Sequence, residues 1–175
     1  MSDPQPNIMI YTGPMAGIGS RRHFDERFAD LLAISHRVHS EVSLLMIELD
    51  QFNQFNERYG QPAGDECVHM VADCIVKLFA RSSDCVARYD SEEFAVVSLA
   101  SNIEDMIRHA QRLCERVRAL NIPNSDSPHG VVTISIGGIH RLPNRETTEE
   151  ELITLANQEL LAAKRDGRNC VHIAG

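Results

Sequence analysis

No cysteine pairing motif, no long apolar run and no surplus of positive charge occur in this 175-residue chain. Its five cysteines, Cys67, Cys74, Cys85, Cys114 and Cys170, are odd in number, scattered and set among apolar residues, with no C-x-x-C pair. That argues against a disulfide framework and a thiolate zinc site and fits reduced thiols in a cytoplasmic protein. No stretch approaches the ~20 apolar residues that a membrane helix needs, and Met1 to Asn7 lacks the basic and apolar regions of a secretory signal. The chain is therefore expected to be soluble, without direct membrane insertion. A formal charge of -8 repels polyanions and argues against nucleic acid as a partner, although a local cluster of Arg and Lys can still hold a small phosphate ligand. The eight histidines form no metal set. His36 and His39 share a helix face without a third ligand nearby, and are expected to be solvated.

What remains is the material of one ordinary domain, long enough to bury its own core. Residues 1–13, with Pro4, Pro6 and Gly13, read as a tail or linker, and residues 14–175 as the domain. From Ser20 to His39 the apolar residues recur at helical spacing. Val42 to Leu49 has no polar alternation through Leu44, Leu45, Met46 and Ile47, as a strand covered on both faces would. Gly64 to Ala80 reads as a second helix, leaving 51–63 unassigned. Two apolar strands, Cys85 to Tyr89 and Phe94 to Leu99, form a hairpin. Ser101 and Glu104 then make a capping box for a helix that stops before Pro123. A polar loop from Asn121 to Gly130 leads to a strand from Val131 to His140. Thr148 and Glu151 cap a last helix ending at Gly167, and Asn169 to Ile173 forms a closing strand. This order predicts an α/β (α+β) domain, a central sheet of about five strands flanked by helices.

The chemistry gathers on acids. Asp90-Ser91-Glu92-Glu93 turns one hairpin strand into the other, and a tight turn that holds carboxylates beside a sheet can hold a divalent cation against a phosphate. Glu48 and Asp50 lie two apart at the carboxyl end of the first strand, on one face, where ligands of such sheets collect. Mg²⁺ takes one or two carboxylates plus substrate phosphates, which Glu48 and Glu92 could supply. The rival reading of the same acids is a solvated surface.

Five motifs then fall in one order. They are Met46-Ile-Glu-Leu-Asp-Gln-Phe-Asn-Gln-Phe-Asn56, Gly60-Gln-Pro-Ala-Gly-Asp65, Arg88-Tyr-Asp-Ser-Glu-Glu-Phe94, Val132-Thr-Ile-Ser-Ile-Gly137 and Ala163-Lys-Arg-Asp-Gly-Arg-Asn169. Together they resemble the GGDEF family, whose members condense two GTP into cyclic di-GMP, over nearly the whole chain from about Gly13. The resemblance implies a nucleotide-cyclase-like fold. It implies that Asn56 and Asp65 read the guanine edge, and that Asn53, Asp90 and Ser91 line the substrate. Lys164 and Arg168 would meet the terminal phosphates. Glu48, Glu92 and the carbonyl of Leu49 would ligate Mg²⁺ or Mn²⁺, and Glu92 and Glu93 would carry the catalysis, with Glu93 beside the reacting hydroxyl. Two structural rivals stand next to these roles: Asp65 as the N-cap of the second helix, and Arg168 as a donor to the last helix's free carbonyls.

The chain departs from the family pattern at four places. Glu48 replaces an Asp and carries its carboxylate about 1.5 Å further out. Asn53 replaces a Lys, removing a charge that faces the triphosphate. Asp90 and Ser91 replace both glycines of the signature, so the turn loses their freedom to adopt positive φ. Asp90 also brings a carboxylate to a polyanion, a repulsion of roughly 1 to 4 kcal/mol at ~4 Å. The opening motif is eroded to Gly13-Pro-Met-Ala-Gly-Ile-Gly-Ser-Arg21.

Arg81-Ser-Ser-Asp84, by contrast, matches the family's R-x-x-D product site at the family's spacing from the turn. There Arg81 would offer a planar fork to a phosphate or guanine edge and Asp84 would accept from guanine N–H groups; the rival is an exposed ion pair in a loop. Three functions follow as expectations. The first is a degenerate GGDEF domain that binds cyclic di-GMP at Arg81 and Asp84 with little or no cyclase activity. The second is an active diguanylate cyclase working as a homodimer. The third is an interaction module without nucleotide, next to a sensory or EAL-type domain.

Overall fold

The computed structural model describes residue 15, residues 17–99 and residues 102–175. The tail expected at 1–13, part of the opening motif and Ser101 lie outside the described residues. Five helices and five strands follow in the order α1 (Arg21–Val38), β1 (Val42–Leu49), α2 (Phe52–Tyr59), α3 (Gln61–Leu78), β2 (Cys85–Asp90), β3 (Glu93–Leu99), α4 (Ile103–Ala119), β4 (Ile134–Arg141), α5 (Glu149–Arg165) and β5 (Val171–Ala174). The sheet order is β2-β3-β1-β4-β5. It is mixed, with β5 parallel to β4 and the other neighbours antiparallel.

β1 occupies the centre, and its side chains divide between two cores. Leu45, Ile47 and Leu49 pack with α2, α3 and α4, whereas Val42, Leu44 and Met46 pack with α1 and α5. That double burial is why the strand carries no polar alternation until Glu48. α5 lies so close to β4 that a Cβ on Gly137 would stand 1.9 Å from the Leu160 amide nitrogen, so only glycine admits the helix there. The segment before α1 closes the outer strand: Gly19 N–H donates to Val86 O (2.9 Å) and Gly19 O accepts from Arg88 N–H (3.0 Å).

Several boundaries differ from the sequence reading. Residues 52–59 form α2, whose buried stripe is Phe52, Phe55 and Tyr59. Gln51, in the left-handed region (φ 54°), breaks the strand direction just before it. α3 starts at Gln61 rather than Gly64, with Pro62 in its first turn, where no N–H donor is needed. Asp65 is thereby inside the helix and is not its N-cap. Asn102 caps α4, accepting from Asp105 N–H at 2.8 Å, in the role expected of Ser101. β4 starts only at Ile134, because Val131 bridges to Pro123 and Val132 N–H bonds Ile122 O. β5 begins after Asn169, whose φ of 48° is incompatible with a strand. His36 is not simply solvated: it is half-buried, and its Nε2 is out of solvent with no partner.

Candidate functional site

The acids meet at the carboxyl end of β1. Glu48 stands directly opposite Glu93 in the β1–β3 register, and Leu49 N–H donates to Glu92 O at 3.0 Å. Opposed residues project to the same face, here the face covered by α1 and α5. From the last turn of α5, Lys164 Nζ reaches Glu48 Oε1 at 2.8 Å. Burial, then the negative charges of Glu48 and Asp90, push the Glu93 carboxyl up to about 7, against the pull of Lys164 and with a further push from Glu92. The shift is owed first to burial and second to the crowding of acids around a single lysine. No group of three or more His, Cys, Asp or Glu is poised together as a ready metal cage among the described residues. Glu48, Glu92 and the Leu49 carbonyl would supply few oxygens by themselves, so a hard cation such as Mg²⁺ or Mn²⁺ would need the rest from phosphates and water.

Asp50 does not join these acids. It lies beyond the end of β1, is 5% exposed, and accepts from Thr133 Oγ1 (2.7 Å), Ser135 Oγ (2.6 Å) and the Asn169 N–H (3.1 Å). Its carboxylate ties the end of β1 to β4 and to the turn that follows α5. Gly167, Arg168 and Asn169 all take positive φ in that turn, which leaves Arg168 exposed with its backbone N–H on Ala163 O (3.1 Å).

The hairpin turn closes without the freedom of glycine. Neither Asp90 nor Ser91 takes a positive φ. A register shift between Arg88 and Asp90 absorbs the turn instead. Asp90 Oδ1 accepts the Ser91 N–H (2.8 Å), the Ser91 hydroxyl donates to Glu92 Oε2, and Arg88 Nη2 holds Ser91 O at 2.6 Å. The side chains of Asp90 and Ser91, both exposed, stand where the family's signature has none.

On the other side of the sheet end, α2 and α3 cross closely. A Cβ on Gly64 would lie 1.7 Å from Asn56 Oδ1, and that oxygen is buried without a hydrogen-bond partner. An unsatisfied buried acceptor is costly, and among the described residues none donates to this one. Asp65, one residue after Gly64, is exposed and accepts from Gln61 Nε2 at 3.0 Å. Asn53 is exposed in the first turn of α2. No side chain caps that turn, so it offers backbone N–H groups of the kind that bind anions. α2 is held in turn by the loop that follows α4: Arg58 Nε and Nη2 lie 2.9 and 3.0 Å from Asp126, and Tyr59 OH bonds Ser125 Oγ and accepts the Ser125 N–H, both at 3.0 Å.

Arg81 and Asp84 sit at the base of the hairpin. The Asp84 side chain is 2% exposed, whereas that of Arg81 is 57% exposed. Asp84 accepts from the Arg81 N–H (3.0 Å) and from Ser98 Oγ (2.5 Å), and Arg81 Nη2 reaches Ser98 Oγ at 3.1 Å. Arg81 Nη2 also lies 3.6 Å from Asp84 Oδ1, so the two form an ion pair in the loop, as the rival reading has it, with the guanidinium on its exposed side. His109 and Met106 of α4 join Arg81 and Asp84 around a cavity of about 120 Å³.

Gln61, Arg88 and His109 were not singled out by sequence reasoning. Gln61 had a signal, its place four residues before Asp65 on one helix; Arg88 had one in its place at the head of the third motif, and His109 is recognised only through the fold. The five cysteines are all unpaired, and burial pushes the Cys67 and Cys114 thiols up to about 12. No helix among the described residues is long and apolar enough to cross a membrane.

Known proteins resemble this chain in sequence and in fold. Diguanylate cyclase DosC of Escherichia coli K12 is 30% identical over 154 residues, covering 88% of this chain and 33% of that protein. Diguanylate cyclase DgcS of Shewanella oneidensis is 28% identical over 160 residues, covering 91% and 51%. The chain thus spans a third to a half of the length of these relatives. Among solved structures, the GGDEF domain of DgcB from Caulobacter crescentus, in complex with c-di-GMP, superposes with a TM-score of 0.83 at 23% identity over 93% of this chain and 94% of that one. The active GGEEF domain of a diguanylate cyclase from Vibrio cholerae gives 0.78 at 21% identity over 90% and 97%. The family model described as diguanylate cyclase, GGDEF domain, matches residues 11–170, and on that match the chain belongs to the GGDEF family.

Proposed function

We propose that this chain is a guanine-nucleotide module of cyclic di-GMP signalling that takes cyclic di-GMP at Arg81 and condenses GTP slowly or not at all. The observation that carries this reading is the division of labour in the Arg81–Asp84 loop. Asp84 is buried as an anchor, and Arg81, paired with it and bonded to Ser98, keeps more than half of its side chain exposed beside the His109 cavity, where a phosphate or guanine edge can meet its planar fork. The DgcB domain that shares this fold is in complex with c-di-GMP.

The nucleotide site is in part retained and in part obstructed. Asn56 and Asp65 are placed to read a base from α2 and α3, and Lys164 and Arg168 to meet terminal phosphates from the end of α5. Glu93, once deprotonated, would accept the proton of an attacking hydroxyl. Mg²⁺ or Mn²⁺, held by Glu48, Glu92 and the Leu49 carbonyl, would activate that hydroxyl and neutralise a departing pyrophosphate. Against turnover stand Asp90 and Ser91, whose side chains fill the turn, and Asn53, which adds no charge.

The second reading, an active diguanylate cyclase, is favoured by the opposition of Glu48 and Glu93. It requires a homodimer, because each domain would hold one GTP and the two must be brought together. Calorimetry and product chromatography separate the readings. Cyclic di-GMP heats that disappear in Arg81→Ala, with no cyclic di-GMP formed from GTP and Mn²⁺, support the receptor. A product peak that vanishes in Glu92→Ala supports the enzyme. Silence in both assays overturns both and leaves an interaction module, next to a sensory or EAL-type domain in a longer protein.

A further inference from the structure

Lys164 has a second occupation besides any phosphate. Its ammonium lies 2.8 Å from Glu48 Oε1, and the two side chains are only 30% and 24% exposed. The backbone beneath Lys164 cannot withdraw. The close approach of α5 to Gly137, the complete burial of Ala163 and the Cys170 thiol on Ala163 O (3.2 Å) fix the end of the helix. β1 is equally fixed by its pairing with β3 and β4. The pair can open only by rotation of the two long side chains.

We infer that Lys164 is a built-in counter-cation that guards Glu48, so that a divalent cation and the lysine exclude one another at this carboxylate. The inference rests on the reading of this end of the sheet as a nucleotide site. Without nucleotide, Lys164 neutralises Glu48 and free metal binds weakly. Terminal phosphates draw the ammonium away and leave Glu48 to the cation that accompanies them, so metal and nucleotide bind with positive coupling. The length of Glu48 is part of the device, since an aspartate would hold its carboxylate about 1.5 Å nearer the strand and lose contact with Lys164. The protein thereby resists loading with metal alone.

Titration of the nucleotide-free protein with Mn²⁺, followed by electron paramagnetic resonance, tests this directly. Lys164→Met, which keeps the bulk and removes the charge, is expected to bind Mn²⁺ about tenfold more tightly than the wild type. Glu48→Asp is expected to move in the same direction while keeping the lysine. Unchanged Mn²⁺ affinity in both variants, or no measurable Mn²⁺ binding by any of the three proteins, overturns the inference. A parallel titration with Mn²⁺ and GTP reports on the underlying site. If GTP fails to bind while Lys164→Met still gains Mn²⁺ affinity, the nucleotide reading falls and the guarding of Glu48 stands.

Discussion

Gly64 and Asn56 are in contact so close that no other residue could stand at position 64 without moving the amide. The first Cβ atom would come within 1.7 Å of Asn56 Oδ1 and 3.3 Å of the Phe52 ring. Gly64→Ala should therefore turn the Asn56 carboxamide out of its position while α3 survives. GTP affinity is expected to fall about tenfold, the worth of one hydrogen bond to a buried partner. Calorimetric titration with GTP checks it, and an unchanged affinity would remove Asn56 from the base site.

Glu93 makes stability depend on pH. Its carboxyl titrates near 7 in the folded chain against an ordinary value of 4.5. Between those values the folded protein holds a proton that the unfolded chain has lost. The contribution is full below about 4.5, declines as pH rises through about 7 and is gone above it. Glu93→Gln should flatten that decline. Thermal melts of metal-free protein from about pH 5 to about pH 8 are expected to show the wild type losing more Tm than the variant. Parallel curves would contradict the assignment.

Gly137→Ala forces a methyl group into the backbone of α5, 1.9 Å from Leu160 N and 2.4 Å from Ala156 O. Neither atom belongs to a side chain that can swing away. A loss of about 3 kcal/mol is expected in urea unfolding, at the upper end for overpacking. A loss below about 1 kcal/mol would mean that α5 shifts without resistance.

Asp84→Ala and Arg81→Ala should separate in stability even though both weaken cyclic di-GMP binding. Removing the buried carboxylate strands the Arg81 N–H and the Ser98 hydroxyl, a loss of about 1 to 3 kcal/mol. Removing the guanidinium gives up its bond to Ser98 and its pairing with Asp84 but leaves the buried carboxylate its other donors, a smaller loss of about 0.5 to 1 kcal/mol. Denaturant midpoints of the two variants decide it; equal losses would make Arg81 a structural residue.

Patterns that depend on one element were legible in the sequence. The unbroken apolar run of β1, the hairpin and the Thr148 cap of α5, which accepts from Glu151 N–H at 3.1 Å, could all be read directly. α2 was not, although Phe52, Phe55 and Tyr59 carry a helical stripe, because an eight-residue helix offers barely two turns of periodicity. Asp50 shows a different limit. Its spacing from Glu48 suggests a shared face, yet its fate is set by Thr133, Ser135 and Asn169, more than eighty residues away in sequence. The hairpin shows a third. The missing glycines suggest a turn deprived of positive φ, whereas a register shift removes the need for it.

The two bonds of Gly19 to the β2 backbone also shield the sheet's margin. β2 has β3 on one side only, and were the Gly19 segment peeled away, the amide of Arg88 and the carbonyl of Val86 would lie open as a template for a foreign strand. Arg88 is also the residue that grips Ser91. Unzipping this flank would thus loosen the acidic corner and expose an adhesive border in a single event.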